Sequence, residues 1–212
     1  MTGRELASHA ERLVSVGARD AELMRALAAF LILVALGASS SAASLRIVAF
    51  GDSATAGYLV AHDKAYPAQL QAALRKKGYD VNVENAGISG DTTTGALARF
   101  DSAIGPGTQI AIVEFGVNDL RRGVPRSRVH TQLAEIIKTL RARGIQVMVI
   151  GLGRLDLSGV AGANGALYQQ WILPRGKYRA GDGQHFNAEG YAILVARMLP
   201  QVESLMKRIS PL

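Results

Sequence analysis

Short apolar runs, separated by stretches with helical periodicity, are the feature that most constrains the fold. Four runs rich in Val and Ile are Leu45–Phe50, Val81–Glu84, Gln109–Phe115 and Ile145–Ile150. Short runs of this kind are typical of strands that are buried on both faces of a parallel sheet. They therefore predict four parallel strands.

Helical patterns fill the intervals between these strands. They cover about residues 66–77, 93–103 and 127–143, and a last helix is predicted over 188–208. Parallel neighbours need crossover connections, which are right-handed and usually contain a helix. The alternation therefore predicts an α/β fold, a three-layer α/β/α doubly wound arrangement around a mostly parallel sheet.

Polar motifs follow three of the predicted strands. They are Gly-Asp-Ser at 51–53, Asn-Ala-Gly-Ile-Ser-Gly-Asp-Thr at 85–92, and Gly-Val-Asn-Asp at 116–119. In open parallel sheets, ligands bind beyond the carboxyl ends of the strands. The three motifs are therefore expected to meet at one edge of the sheet.

A carboxylate three residues before an imidazole completes the chemistry near the C-terminus. Asp182 can hold the Nδ1–H of His185, which leaves Nε2 to take a proton from Ser53. The other motifs contribute a glycine N–H and an asparagine amide, the donor types that stabilise an oxyanion. These residues predict a serine hydrolase; the alternatives are turn-forming roles for Ser53, Gly90 and Asn118 and a helix-capping role for His185.

These spaced motifs resemble the SGNH, or GDSL-type, esterase and lipase family over roughly residues 45–200. The similarity is greatest to the bacterial periplasmic thioesterase, arylesterase and lysophospholipase group. The resemblance implies a flavodoxin-like SGNH hydrolase fold and hydrolysis through an acyl-enzyme, without a cofactor or metal. It also implies a catalytic triad and an oxyanion hole: Ser53, Asp182 and His185 for the triad, and Ser53, Gly90 and Asn118 for the hole.

Two positions next to the implied site depart from the family pattern. Residue 54 is Ala where the family has Leu, and Phe186 stands where a Pro often follows the catalytic histidine. Both changes bear on the shape of the pocket. Nearby apolar residues either bind an acyl group or pack in the core: Tyr58, Leu59, Leu152, Leu155 and Leu157.

The segment between the fourth strand and Asp182 resembles the family least. One helical stretch is predicted over about Ala161–Trp171, with Trp171 in the core. Only Lys177–Arg179 offers an edge strand, so the sheet is predicted to have four or five strands.

The N-terminus has the pattern of an export signal. Arg25 precedes an apolar run at 26–36, and small residues follow at 37–44. This pattern predicts a signal peptide over about 24–43, a hydrolase domain over 44–212, and a periplasmic or secreted protein. The alternatives are an uncleaved anchor and, for residues upstream of Met24, either a misplaced start site or an amphipathic helix over Arg4–Leu23.

Charge and composition limit the partners. The net charge is +7, and removing residues 1–43 leaves it unchanged. A basic surface favours contact with anionic envelope surfaces, but the interpretation that the sequence favours is a generally basic soluble enzyme. The arginines at 121, 122, 126 and 128 are interpreted as a solvated loop and helix start, with a specific anion site as the alternative. No nucleic-acid recognition motif is present, and the absence of cysteine excludes disulfides and thiolate metal sites.

The predicted substrate is a small-molecule or lipid ester: an acyl ester, a lysophospholipid or an acyl thioester. Two alternatives remain open from the sequence. One is a carbohydrate O-acetylesterase on the same fold, and the other is a catalytically silent envelope-binding module.

Overall fold

The computed structural model describes residues 44–153, 155–172 and 176–209. Within them, the strands β1 to β5 are Leu45–Gly51, Val81–Gly87, Thr108–Glu114, Gln146–Leu152 and Leu167–Trp171. The helices α1 to α8 are Ser53–Ala56, Tyr66–Lys76, Thr93–Ala98, Phe100–Ala103, Val117–Arg121, Arg126–Ala142, Ser158–Ala163 and Ala188–Ile209. A 3₁₀ turn, His62–Lys64, precedes α2.

The five strands form one parallel sheet in the order β2-β1-β3-β4-β5. The chain leaves β1 toward β2 and then crosses to the other side as β3, which creates a switch point beside β1. Gly51 is in register with Gly87 on β2 and with Glu114 on β3. The ends of three strands are therefore level, and the segments that follow them share one edge of the sheet.

Each face of the sheet carries its own layer of core side chains. Alternate residues of β1 point to opposite faces, so that Ile47 and Ala49 pack with α2 and α8, whereas Val48 and Phe50 pack with α3, α4, α6 and α7. This arrangement confirms the predicted three-layer, doubly wound α/β fold.

The prediction for residues 161–171 is wrong. Helix α7 ends at Ala163, because Gly165 adopts a left-handed conformation with φ of 72°. The next residues form β5, in which Trp171 pairs with Leu152 of β4. The predicted edge strand at 177–179 is also wrong, since Arg179 forms only an isolated antiparallel bridge with Phe186.

The predicted signal peptide and the domain boundary at residue 43 lie outside the described residues. They stay predictions. No described helix is both long enough and apolar enough to span a membrane.

Candidate active site

Ser53 lies in a sharp turn between β1 and the single-turn helix α1. Gly51 permits this turn, because a Cβ at that position would lie 2.0 Å from Thr55 Oγ1. Asp52 caps the helix, and its Oδ1 accepts a hydrogen bond from Ala54 N at 2.9 Å. Ser53 is therefore held half-buried at the carboxyl edge of the sheet.

His185 connects Ser53 to Asp182. The distance between His185 Nε2 and Ser53 Oγ is 2.9 Å, and the distance between His185 Nδ1 and Asp182 Oδ2 is 2.5 Å. Asp182 Oδ1 also accepts hydrogen bonds from the backbone N–H groups of Gln184 and His185. The hydrogen bond from His185, followed by that from Gln184 N, lowers the pKa of Asp182 to about 2.

This geometry fixes the proton positions of the imidazole. With Asp182 ionised, Nδ1 keeps the proton and donates a hydrogen bond to the carboxylate. Nε2 is then unprotonated and accepts a hydrogen bond from the Ser53 hydroxyl. The three groups predicted from the sequence therefore form one continuous hydrogen-bonded chain, oriented for proton removal from Ser53.

Packing of the following residue anchors the His185 loop. The Phe186 ring stacks on Trp171 with centroids 4.0 Å apart, and Trp171 is buried in the core, as predicted. Asn187 then caps α8, with its Oδ1 accepting from Gly190 N at 3.0 Å. The contact between Phe186 and Trp171 therefore attaches the His185 loop to β5.

Asn118 joins the segments that carry the other two predicted donors. Its Nδ2 donates to Asp52 Oδ2 at 2.8 Å and to the Asp91 carbonyl oxygen at 2.9 Å. Asp52 precedes Ser53, and Asp91 follows Gly90. The Asn118 amide therefore holds the two backbone segments of the predicted oxyanion hole side by side.

The three predicted oxyanion donors differ in their availability. Among the described residues, no acceptor is hydrogen-bonded to the backbone N–H of Ser53 or Gly90. Both amide protons of Asn118, in contrast, are already engaged. Two backbone N–H groups are therefore available to an oxyanion. A hydrogen bond from Asn118 to an oxyanion would have to share or replace one of its two present bonds.

A cavity of about 380 Å³ opens beside Ser53 and His185, a size typical of small-molecule sites. Its apolar lining comes from Val117, Leu120, Leu152, Leu155 and Phe186, and its cationic lining from Arg121, Arg126 and Arg179. Of the apolar residues considered from the sequence, Leu152 and Leu155 line it. Leu157 is fully buried in the core, and Tyr58 and Leu59 are exposed outside it, with the Tyr58 ring 4.8 Å from that of His185.

Two aspartates that neighbour the predicted site residues have supporting roles. Asp91 accepts a hydrogen bond from Thr92 N and pairs with Arg99 at 2.7 Å. Asp119 is buried and accepts from the backbone and hydroxyl of Thr93. Both therefore stabilise loop conformation. Asp52 does so as well, and its Oδ1 also lies 3.4 Å from Ser53 Oγ.

Two side chains at the site were not identified from the sequence. Arg99 donates to the carbonyl oxygens of Gly51 and Ala86 and so ties the ends of β1 and β2 together. Glu114 is fully buried beneath Ser53, where its Oε2 accepts from Thr55 Oγ1 at 3.0 Å. The available signal for Glu114 was a carboxylate within the apolar run of β3, directly before a polar motif.

No group of three or more potential metal ligands is found among the described residues. Comparison with known proteins gives a family. The model of the GDSL-like Lipase/Acylhydrolase family matches residues 49–173, a range that contains Ser53, Gly90 and Asn118 and ends before Asp182.

Characterised relatives and solved structures agree with that match. An arylesterase of Vibrio mimicus is 35% identical over 113 residues, 53% of this chain and 56% of the relative. Esterase TesA of Pseudomonas aeruginosa is 36% identical over 132 residues, 61% of this chain and 65% of the relative. The chain thus spans less than two thirds of the length of these relatives.

Among solved structures, TesA aligns with a TM-score of 0.67 and 26% identity over 76% of this chain and 99% of that chain. The SGNH-hydrolase family esterase AlinE4 aligns with a TM-score of 0.60 and 30% identity over 78% and 98%.

Proposed function

Because the chain belongs to the GDSL-like lipase/acylhydrolase family, we propose that it is a serine esterase that hydrolyses carboxylic esters or thioesters. The observation that carries this proposal is the continuous hydrogen-bonded chain from Ser53 through His185 to Asp182 beside a largely apolar cavity. A module that only binds an envelope component has no need of this chain of groups.

In the proposed first step, Ser53 Oγ attacks the carbonyl carbon while His185 Nε2 takes the hydroxyl proton. Asp182 stabilises the imidazolium that forms. The proton then passes from Nε2 to the departing alcohol or thiol, which leaves an acyl group on Ser53. A water molecule, deprotonated by the same nitrogen, attacks the acyl carbon. The bond to Ser53 Oγ then breaks, Nε2 returns the proton to Oγ, and the acid is released.

The negative oxygen of each tetrahedral intermediate needs preorganised donors. Ser53 N–H and Gly90 N–H are proposed as the first two donors, since no described acceptor is bonded to them. Asn118 Nδ2 is proposed as the third. It lies between the segments that contain Asp52 and Asp91, and one of its N–H groups forms an additional hydrogen bond to the oxyanion as negative charge develops there.

The lining of the cavity supports an apolar acyl group and an anionic leaving portion. Leu120, Leu152 and Leu155 offer an apolar surface, whereas Arg121 and Arg126 place positive charge beside it. Lysophospholipids and acyl-CoA thioesters combine an acyl chain with a phosphate. The apolar lining favours these esters over acetylated carbohydrates, the substrates of the alternative carbohydrate O-acetylesterase.

A substrate panel tests the proposal. p-Nitrophenyl esters of graded chain length, acyl-CoA, lysophospholipid and acetylated xylan are compared, with Ser53→Ala as the background. We expect the highest kcat/KM with acyl chains longer than acetyl. A preference for acetylated xylan would establish the carbohydrate esterase instead, and activity that persists in Ser53→Ala would refute both.

A matched pair of arginine variants tests whether the positive charge in the cavity lining recognises an anionic substrate. Arg126 lines the cavity, whereas Arg128 is exposed on the same helix and does not line it. Arg126→Gln should lower kcat/KM for lysophospholipid by about 2- to 5-fold, the range of an exposed charge interaction, and leave neutral esters unchanged. Arg128→Gln should change neither. An equal loss on both substrate types would show that Arg126 does not recognise charge.

We also propose that the protein is exported by a signal peptide over about 24–43 and acts outside the cytoplasm. The sequence of Arg25, apolar run and small residues supports this proposal. The net charge of +7 favours contact with anionic envelope surfaces. N-terminal analysis of protein from its native host should find a chain that begins near Ser44. A cytoplasmic form that begins at Met1 would contradict it.

A further inference from the structure

Glu114 and Asp52 form a buried carboxyl pair beneath the turn that holds Ser53. Glu114 is 0% exposed and Asp52 is 2% exposed, and their side chains lie within hydrogen-bonding reach of each other. Glu114 Oε2 accepts from Thr55 Oγ1 at 3.0 Å and from Asp52 N at 3.3 Å. No described donor reaches the other oxygen, Oε1. A buried carboxyl oxygen without a donor nearby can still form a hydrogen bond when it is protonated, because its O–H group then acts as the donor.

The surroundings of Glu114 and Asp52 stabilise a negative charge on only one of the two carboxyl groups. The polar side chains that act on Glu114 are Asp52 and Thr55, and it faces the hydroxyls of Tyr66 and Tyr191. No described lysine or arginine forms an ion pair with either carboxyl group. Burial, reinforced by the charge of Asp52, raises the pKa of Glu114 well above its usual range. Two adjacent buried carboxylates without a cation cannot both ionise at neutral pH.

The hydrogen bonds decide which group holds the charge. Both oxygens of Asp52 accept from N–H groups that can only donate, Ala54 N at 2.9 Å and Asn118 Nδ2 at 2.8 Å. Burial raises the pKa of Asp52, but the hydrogen bonds from Ala54 N, Glu114 and Ser53 and the nearby His185 act in the opposite direction and favour its ionised form. Asp52 is therefore the carboxylate, and Glu114 is the acid.

We propose that Glu114 is a positioning residue of the esterase, a neutral carboxylic acid that donates a hydrogen bond to the Asp52 carboxylate and thereby holds the Asp52–Asn118 hydrogen bond in place. It touches no substrate and acts through Asp52, which fixes both the nucleophile turn and the Asn118 amide. This role rests on the proposed ester hydrolysis. The protonation state itself does not depend on it.

Two substitutions at position 114 separate shape from hydrogen bonding. Glu114→Gln keeps the size of the side chain, a donor toward Asp52 and an acceptor toward Thr55. Glu114→Leu keeps apolar bulk and removes the donor. We expect Glu114→Gln to retain kcat within a few-fold and Glu114→Leu to lose about 100-fold in kcat with little change in KM, as for a lost oxyanion donor. Wild-type kcat in Glu114→Leu, or an equal loss in both variants, would overturn the proposal.

A stability measurement tests the protonation state without reference to activity. A folded-state pKa above the unfolded value means that the folded protein retains a proton that the unfolded chain releases, so stability falls as pH rises between the two values. Glu114→Gln removes this linkage. The Tm of the wild type should therefore fall relative to that of Glu114→Gln as pH rises from about 5 to about 8. A Tm difference that is constant with pH would overturn the inference even if Glu114→Leu does not fold.

Failure of this inference is distinguishable from failure of the proposed function. If Ser53→Ala abolishes hydrolysis while the position-114 variants behave like wild type, only the role of Glu114 is wrong. If Ser53→Ala retains hydrolysis, the esterase mechanism itself is wrong.

Discussion

At the scale of single residues, Asn118 connects the loops on which the candidate site depends. Its amide binds Asp52 beside Ser53 and the Asp91 carbonyl oxygen beside Gly90. A donor anchored at two points loses little orientational freedom when charge develops near it. Asn118 is therefore expected to act mainly in the transition state.

Asn118→Ala should lower kcat by about 100- to 1000-fold, which corresponds to about 2.7–4 kcal/mol, with little change in KM. The reason is that the oxyanion exists only at the tetrahedral stage. Steady-state kinetics on a p-nitrophenyl ester provides the measurement. Asn164→Ala is a suitable control, because that amide donates to Val160 O outside the cavity lining and should leave kcat unchanged. A higher KM with unchanged kcat would make Asn118 a ground-state binding residue.

Asp182 is expected to act by orienting His185 and stabilising its charged form. Its pKa of about 2, set by the hydrogen bond from His185, keeps the carboxylate ionised at all pH values where the enzyme would work. Asp182→Asn should lower kcat by up to about 10⁴-fold. It should also move the acid limb of the pH–rate profile to lower pH, since the imidazolium loses its stabilising charge. Asp63→Asn, at an exposed aspartate paired with Lys64, serves as the control. An unchanged acid limb would argue against this pairing.

Most of the site, but not Glu114, could be predicted at the residue scale. The proposed nucleophile, base and donors carry recognisable spacing, because each follows a strand or lies in the Asp182–His185 motif. Glu114 has no such spacing. Its importance comes from the contact with Asp52, 62 positions away along the chain, and only the sheet register brings the two together.

At the scale of elements, the start of α8 positions His185 through close packing. Gly190 lies in the first turn of the helix, where a Cβ would come within 2.5 Å of the Tyr178 carbonyl oxygen. Tyr191 follows it and donates a hydrogen bond to Ala54 O at 2.9 Å. The helix is therefore joined both to the His185 loop and to the turn of Ser53.

Gly190→Ala should destabilise the protein by about 1–3 kcal/mol, although alanine is the better helix former. Gly162 provides a matched control, since it also lies in a helix and a Cβ there would meet nothing within 4 Å. Gly162→Ala should be neutral or stabilising by up to about 1 kcal/mol. Urea denaturation of both variants gives the comparison. A stabilised Gly190→Ala would show that the helix start is not tightly packed.

The elements differ in how well the sequence predicts them. Strands β1, β3 and β4 are apolar enough to be identified from composition, β2 is indicated by Val81 and Val83, and the helices between them follow from periodicity. Strand β5 is a half-buried edge strand with Gln169 and Gln170 in its centre, so it has no apolar run. The spacing of Ala161, Leu167 and Trp171 also suits a helix. Pairing with β4 decides the conformation, and a single sequence does not show that neighbour.

At the scale of the whole molecule, the fold assembles the site from distant parts of the chain. Ser53 and His185 are 132 residues apart, yet their side chains lie 2.9 Å from each other. The parallel sheet brings the ends of β1, β2 and β3 to one edge, and α8 with its preceding loop closes the far side. The central claim is that this assembly makes Ser53 the nucleophile and His185 its base.

Labelling by a serine-directed fluorophosphonate tests that claim most directly. The wild type should take up one label, on Ser53, while Ser53→Ala should take up none and His185→Ala should react far more slowly. Ester hydrolysis should fall by several orders of magnitude in each variant, and the double variant should be scarcely worse than either, because the two groups act as a unit. A label on another serine, or near wild-type turnover by Ser53→Ala, would contradict the account.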